Sequence, residues 1–192
     1  MGGNRKGQSS GRGQAILAAF LFLAATAAIL IAMGRPVICT CGALELWGPV
    51  GPTQSQMLAD WYSPSHVVHG LLFYAALWLV ARSWTVERRF LVALAVEAAW
   101  EIIENTPMVI DRYREATIAL GYNGDSVVNS VSDVAMMAIG FLAARRLPVR
   151  TAVLLLLLLE VVPLLVIRDN LTLNIWMLVW PTDAIRAWQA GA

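Results

Sequence analysis

The apolar residues of this chain come in long blocks, and this pattern constrains the fold more than any other feature. Residues 15–33 form a continuous apolar run, and a helix needs roughly 20 such residues to cross a bilayer. Further blocks lie at residues 66–82, 88–105, 126–144 and 151–167. Only 14% of the 192 residues are charged, against about a quarter in soluble domains. The sequence therefore predicts an all-α, polytopic membrane helical bundle with about five transmembrane helices.

The two ends of the chain differ from these blocks. Residues 1–13 are Gly-rich, polar and basic, which predicts a disordered cytoplasmic tail before a single transmembrane domain at residues 14–192. The run at residues 15–33 is longer than the apolar core of an ordinary signal peptide, so we interpret it as an uncleaved first helix. Residues 170–188 are short and rich in tryptophan, which predicts an interfacial or re-entrant segment rather than a sixth crossing.

The basic residues predict the orientation of the bundle. Nine of them precede the first block or lie in the second and fourth connections: Arg5, Lys6, Arg12, Arg82, Arg88, Arg89, Arg145, Arg146 and Arg150. With five crossings all nine fall on one side, and an excess of Lys and Arg marks the cytoplasmic side. We therefore expect a multi-pass protein of the bacterial inner membrane with a cytoplasmic amino terminus. No basic stripe with interleaved aromatic residues is present, so nucleic acid is not an expected partner.

Polar side chains are concentrated at the other end of the predicted bundle. Most are three or four residues apart, which places each set on one face of its helix. The sets are His66 and His69 in the second block, Glu97, Glu101 and Glu104 in the third, Asp125, Asn129 and Asp133 at the fourth, and Arg168 with Asp169 after the fifth. Because a charge facing lipid is costly, we expect these groups to meet in one inward-facing pocket at the periplasmic side.

This pocket has the composition of a metal-dependent active site. The predicted ligands of a divalent ion are His69, Glu104, Asp125 and Asp133. Histidine with carboxylates suits zinc or manganese, whereas carboxylates alone suit magnesium or calcium. The predicted catalytic residues are Glu97 and Glu101, as buried acid or base. The predicted substrate-binding residues are Asn129, which would position a headgroup, and Arg112, Arg114 and Arg168, whose planar guanidinium groups suit a phosphate.

Simpler explanations stand beside several of these assignments. Glu104 can instead extend to the lipid headgroups or pair with Arg112 or Arg114. His66 directly follows Ser65, a candidate N-cap of the second helix, and Asp125 with Ser126 follows a turn and is a candidate N-cap of the fourth.

Two further features stay open at the level of sequence. Glu160 is alone in a leucine run. It either forms a hydrogen bond between packed helices or is a distal member of the site. Cys39 and Cys41 are either two small loop residues or a structural bridge. The bridge is an alternative because thiols outside the cytoplasm tend to oxidise.

Two strings of residues resemble a known family. They are SQMLADWYSPSHVVHG, from residue 55, and WEIIENTPMVIDRYREATIALGYNGDSVVNSVSD, from residue 100. The chain resembles an uncharacterised family of multi-pass inner-membrane proteins from alphaproteobacteria, over nearly its whole length after the basic tail. The resemblance implies a membrane location and several helices, and it assigns no activity to any residue.

Two classes of function are consistent with the sequence. One is an intramembrane metal-dependent hydrolase or transferase that acts on a lipid or lipid-linked headgroup at the periplasmic face, with membrane lipids as partners. The alternative is a non-enzymatic protein, such as an ion or small-molecule binder, a transporter subunit or an assembly factor, in which the carboxylates form a structural polar network. The sequence contains no G-x-S-x-G or HExxH motif.

Overall fold

The structure, a computed structural model, describes residues 3–51, 53–117 and 121–191. Within these residues the chain forms eight helices and no strand. In chain order they are α1 (Gly3–Ala32), α2 (Ser63–Val80), α3 (Val86–Glu104), α4 (Pro107–Ala116), α5 (Val127–Arg146), α6 (Val149–Ile167), α7 (Leu171–Val179) and α8 (Asp183–Ala190). The predicted all-α membrane bundle is confirmed.

Four described segments are long and apolar enough to cross a membrane: Gly13–Ala32, Ser63–Val80, Val127–Arg146 and Val149–Ile167. The fifth predicted crossing corresponds to α3, which has 19 residues and a length of roughly 28 Å at about 1.5 Å per residue. Its glutamates and arginines make it more polar than the other four, and its crossing stays a prediction. It packs against α1, α2 and α5, so its polar face is turned into the bundle.

The structure corrects the sequence predictions at several helix boundaries. Helix α1 begins at Gly3, and the disordered cytoplasmic tail expected at residues 1–13 stays a prediction. Helix α2 begins at Ser63 and Tyr62 occupies the N-cap position, so Ser65 is not the cap. Helix α4 lies within the predicted polar connection, and it begins with Pro107, whose fixed φ suits a first helical turn.

The closest helix packing is between α2 and α5, and two glycines make it possible. A Cβ atom added to Gly70 would lie 2.0 Å from the carbonyl oxygen of Met137, and one added to Gly140 would lie 2.1 Å from that of Val67. Small residues allow this backbone approach between membrane helices. The contact holds the first turns of α2 beside the first half of α5, which is where the polar residues of both helices lie.

The loop between α1 and α2 closes the same end of the bundle. The backbone N–H of Val127 donates to the carbonyl of Pro36 at 2.8 Å, and that of Ser126 donates to the carbonyl of Ser55 at 3.0 Å. The first N–H groups of a helix have no partner within the helix, and carbonyl groups of the loop accept hydrogen bonds from N–H groups at the start of α5. Cys39 and Cys41 form a disulfide in this loop.

Candidate functional site

Glu97 of α3 joins the two imidazoles of α2. Its Oε1 lies 2.6 Å from Nδ1 of His66 and 3.1 Å from Nδ1 of His69, and its Oε2 lies 3.1 Å from the same His69 nitrogen. The Glu97 side chain has no solvent exposure. The i, i+3 spacing of the histidines and the α2–α3 packing thus direct two ring nitrogens to one carboxylate.

Two further carboxylates flank His66. Its Nδ1 lies 3.4 Å from Oε1 of Glu101, and its Nε2 lies 3.7 Å from Oδ2 of Asp133. The hydroxyl of Ser63 donates to Oδ1 of Asp133 at 3.0 Å, so this carboxylate is fixed. Glu101 Oε1, in contrast, is buried and has no hydrogen-bond partner among the described residues.

Asp125, just before α5, belongs to a separate hydrogen-bonded group. Its Oδ2 accepts from the Asn105 amide at 2.8 Å, its Oδ1 accepts from the Tyr122 hydroxyl at 3.0 Å, and its own N–H donates to Asn105 Oδ1 at 2.8 Å. Burial raises the pKa of Asp125 to about 6, although the bonds from Asn105 and Tyr122 oppose that rise. Ser126, rather than Asp125, is the N-cap of α5, because its hydroxyl accepts the N–H of Asn129.

Donor atoms from these residues are close enough to bind a metal ion. Three overlapping sets each have their donor atoms within 4.8 Å of one another: His66, His69 and Glu97; His66, Glu101 and Asp133; and Glu101, Glu104 and Asp125. The first set has two nitrogen donors and suits zinc or manganese, whereas the last has only oxygen donors and suits magnesium or calcium.

The first set fits a metal best. Its two Nδ1 atoms converge on one carboxylate, where an ion would replace the shared proton. His66 then presents its other ring nitrogen to Asp133, which matches the usual pairing of a metal-bound histidine with a second carboxylate.

A cavity of about 1050 Å³ opens beside these residues. Its polar wall includes both histidines, Glu97, Glu104, Asp125, Asn129 and Asp133. Its apolar wall includes Leu72, Val96 and Ile175, which are 46%, 49% and 51% exposed on the outside of the bundle. The apolar side of the cavity therefore opens laterally, on the helix surface that a bilayer would cover.

The three arginines predicted to bind a phosphate lie elsewhere. Each donates to a backbone carbonyl: Arg112 to Leu178 at 2.8 Å, Arg114 to Tyr122 at 2.5 Å and Arg168 to Trp188 at 2.8 Å. None of them lines the cavity, because the ends of α7 and α8 and the turn before α5 supply carbonyl acceptors for them. Among the described residues, the lysine or arginine side chain that lines the cavity is that of Arg35.

The other predicted residues are divided between the site and the scaffold. Asn129 lines the cavity, and its amide donates to the carbonyl of Met57 at 3.0 Å. Glu160 lies outside the cavity and accepts the N–H groups of Leu171 and Thr172 at the start of α7, so it is a helix cap and not a member of the site. Asp169 accepts the Tyr62 hydroxyl at 2.9 Å.

The sequence predicts His66 in the pocket, through its spacing from His69, but His66 is absent from the predicted ligands because it follows a candidate helix cap. Three further residues of the site were not predicted. Asn105, Tyr122 and Arg35 carried no such signal, because they follow helix ends or lie in loops whose path depends on the packed structure.

Relatives of this chain occur in several bacteria. A protein of Paracoccus denitrificans, named only as a UPF0314 protein, is 50% identical over 176 residues, which cover 91% of each chain. A UPF0314 protein of Sinorhizobium fredii is 55% identical over 161 residues, 83% of this chain and 82% of the relative. A UPF0314 protein of Novosphingobium aromaticivorans is 51% identical over 182 residues, 91% and 92% of the two chains.

No solved structure matches this chain. Residues 30–191 match the family described as "Protein of unknown function (DUF2585)". The resemblance to an uncharacterised alphaproteobacterial family is thereby confirmed, and the chain belongs to the DUF2585 family.

Proposed function

We propose that this protein is an intramembrane metal-dependent hydrolase or transferase that acts on a lipid or lipid-linked headgroup. One observation carries the proposal: the Nδ1 atoms of His66 and His69 converge on Glu97 in the wall of a cavity that opens to the lipid-facing side of the helices. Buried ionisable groups within membrane helices are costly, and they commonly mark functional sites.

The chain's own residues divide into three roles in this proposal. His66, His69 and Glu97 hold the ion, and Asp133, itself fixed by Ser63, orients His66. A divalent ion held by these residues would supply Lewis-acid chemistry near neutral pH. Glu97, predicted from sequence as an acid or base, is instead assigned to the ion, because both of its oxygens contact imidazole nitrogens.

Glu101 is the residue we assign to proton transfer. Its Oε1 has no hydrogen-bond partner among the described residues and lies 3.4 Å from His66 Nδ1, next to the proposed ion. A general base must lie within reach of the proton that it removes, and an oxygen without a partner can accept one without first breaking another bond. Glu104 and Asp125 form the oxygen-rich side of the same pocket and remain candidate ligands of a second cation.

The shape of the cavity supports an amphiphilic substrate. A headgroup would occupy the polar wall, and a hydrocarbon chain would lie along Leu72, Val96 and Ile175. The positive-inside rule supports a periplasmic location for this cavity, at the end of the bundle opposite the basic loops, and we include that location in the proposal.

Metal analysis of the purified full-length protein tests the ion site. We expect about one equivalent of zinc or manganese per chain, lost in His66→Ala and His69→Ala. Glu115→Gln, an exposed acid outside the cavity, is the matched control and should keep the metal. An unchanged metal content in both histidine variants would contradict the proposed ion site.

Lipid profiling tests the activity. Mass spectrometry of lipids from cells that express the wild-type protein, or Glu101→Gln at equal membrane abundance, should show a change in a lipid or lipid-linked species that only the wild type produces. Identical profiles in the two strains, and in a strain without the gene, would exclude an enzymatic role on lipids.

A second candidate is a non-enzymatic role for the polar network. The arrangement of Asp125, Asn105, Tyr122 and Ser130 favours it, since the Asp125 carboxylate is fully bonded and the Asn105 amide also contacts Ser130 at 3.3 Å. This candidate expects no stoichiometric metal and a loss of thermal stability in Asn105→Ala without any change in lipids.

A further inference from the structure

We propose that Arg35 forms a subsite for a phosphate-type anion, a phosphomonoester or phosphodiester, in the same cavity. This inference rests on the proposed function, because the bound ion would add a second positive charge that strengthens phosphate binding among so many carboxylates. Among the described residues, five carboxylates line the cavity: Asp60, Glu97, Glu104, Asp125 and Asp133. Against them the described lining residues offer the two imidazoles and a single guanidinium, that of Arg35.

Arg35 is held in place by the loop that closes the bundle. Its neighbour Pro36 accepts the first N–H of α5, which fixes the backbone beside the cavity. The guanidinium donates through Nε to the carbonyl of Asp125 at 3.2 Å and through Nη2 to the carbonyl of Asn123. Nη1 has no described partner on the protein, so the fixed guanidinium retains donors for a ligand.

Gly124 leaves room for this guanidinium. Its φ is +82°, and a Cβ atom there would lie 2.6 Å from both Cζ and Nη2 of Arg35. The turn at residues 121–124 thus approaches Arg35 as closely as a glycine permits. Asp125, which follows it, belongs to the oxygen-rich donor set, so the guanidinium is bonded to the backbone of one candidate cation ligand.

Arg114 provides a natural comparison. It donates to the same turn, through the Tyr122 carbonyl and the Asn123 side chain, yet it does not line the cavity. Removing either arginine deletes bonds to this turn, but only Arg35 can contact a ligand in the cavity. The two variants therefore separate ligand binding from loop stability.

The planar guanidinium defines the ligand class. Arginine binds phosphate oxygens through paired, charge-assisted hydrogen bonds. The phosphate could belong to a lipid headgroup or to a free solute, and the apolar wall at Val96 distinguishes these two sources, since only a lipid would use it.

The test is a binding titration by calorimetry with the metal-loaded, full-length protein in a neutral detergent. The probes are inorganic phosphate and dihexanoyl phosphatidic acid. Arg35→Gln should weaken the binding of both probes by at least about tenfold, the value of one charge-assisted hydrogen bond, and Arg35→Lys should weaken it less. Arg114→Gln should bind both probes as the wild type does.

Three results would overturn the subsite: no phosphate binding by the wild type, wild-type affinity in Arg35→Gln, or an equal loss in Arg114→Gln. Val96→Trp, which fills the apolar wall, identifies the source. If Val96→Trp weakens the binding of phosphatidic acid alone, the phosphate belongs to a lipid. If Val96→Trp binds both probes as the wild type does, the phosphate belongs to a solute. A wild type that contains no metal but still binds phosphate through Arg35 would contradict the proposed function and leave the subsite standing.

Discussion

Glu97 and Glu101 lie one helical turn apart on α3, and both are buried, yet their surroundings differ. Both Glu97 oxygens contact imidazole nitrogens, whereas Glu101 Oε1 has no hydrogen-bond partner among the described residues. An unpaired buried carboxylate oxygen costs free energy, and it also faces the negative charges of Asp133 and Glu104. Removal of the negative charge should therefore lower the free energy of unfolding at Glu97 but not at Glu101.

A pair of amide substitutions checks this at the level of single residues. In buffer with a chelator, Glu97→Gln should lower the free energy of unfolding by about 1–3 kcal/mol, because the charged bonds to both imidazoles are lost. Glu101→Gln should leave it unchanged or raise it. Thermal unfolding in one detergent, with Glu115→Gln as the control, measures both effects; an equal loss in the two variants would contradict the difference in pairing.

Asp169, after the end of α6, predicts a dependence of stability on pH. Burial raises the pKa of this carboxyl, although the hydrogen bond from Tyr62 opposes the rise. The unfolded chain therefore releases the proton at a lower pH than the folded chain does. The difference in pKa therefore stabilises the folded chain fully at a pH below the pKa of Asp169 in the unfolded chain, about 3.9. This stabilisation is lost as the pH rises through the pKa of Asp169 in the folded chain.

Asp169→Asn removes this titration. Across a series from about pH 3.5 to pH 7, the wild type should lose thermal stability relative to Asp169→Asn as the pH rises. A difference between the two proteins that is constant over the series, or that changes in the opposite direction, would show that the carboxyl is not buried as described.

At the level of helices, the α2–α5 contact positions the histidines. A methyl group at Gly70 or Gly140 would meet backbone atoms, which cannot move aside as a flexible side chain can. Gly70→Ala and Gly140→Ala should therefore each lower the free energy of unfolding by about 1–3 kcal/mol or more, and both should lower the metal content.

The matched control is Gly13→Ala in α1, where an added Cβ meets nothing within 4 Å. Unfolding midpoints and metal content measure the effect. Wild-type values for the Gly70 and Gly140 variants would show that the two helices are farther apart than the structure places them.

The long helices were predictable from sequence, and the short helix α4 was not. Runs of apolar residues determine where a helix can cross a membrane, and these runs correspond to α1, α2, α3, α5 and α6. In α4 the apolar residues Ile110, Tyr113 and Ala116 recur at every third position and are buried, but the helix as a whole is polar and resembles a loop. The role of Glu160 depends on the turn that returns α7 toward α6, which the sequence does not show.

The same contrast applies to the site. The spacing of the glutamates and histidines identified which side chains share a helix face, and the shared depth indicated that they would meet. Which carboxylate binds which histidine depends on helix rotation and on the glycine contact between α2 and α5. The sequence could not show that the three arginines lie outside the cavity wall, because their carbonyl acceptors include residues distant in sequence, such as Leu178 and Trp188.

For the whole molecule, the number of crossings decides where the two termini lie. If α3 crosses the membrane together with the four apolar helices, the two termini lie on opposite sides, and the positive-inside rule predicts that the amino terminus is the cytoplasmic one. Helix α7, with nine residues, is roughly 14 Å long and does not cross.

Fusions of alkaline phosphatase and of green fluorescent protein to each terminus measure this arrangement. We expect phosphatase activity at the carboxyl terminus, fluorescence at the amino terminus, and a cytoplasmic signal from a control fusion at residue 84, between α2 and α3. Fluorescence at both termini would show an even number of crossings, and α3 would then not span the membrane.

The lateral opening at Leu72, Val96 and Ile175 has a kinetic consequence. A ligand that enters there moves within a two-dimensional phase, so its supply depends on its mole fraction among the surrounding lipids and not on its amount per litre. Dilution of the ligand with inert lipid or detergent, at constant total ligand, should therefore slow turnover, whereas a change of aqueous volume should not.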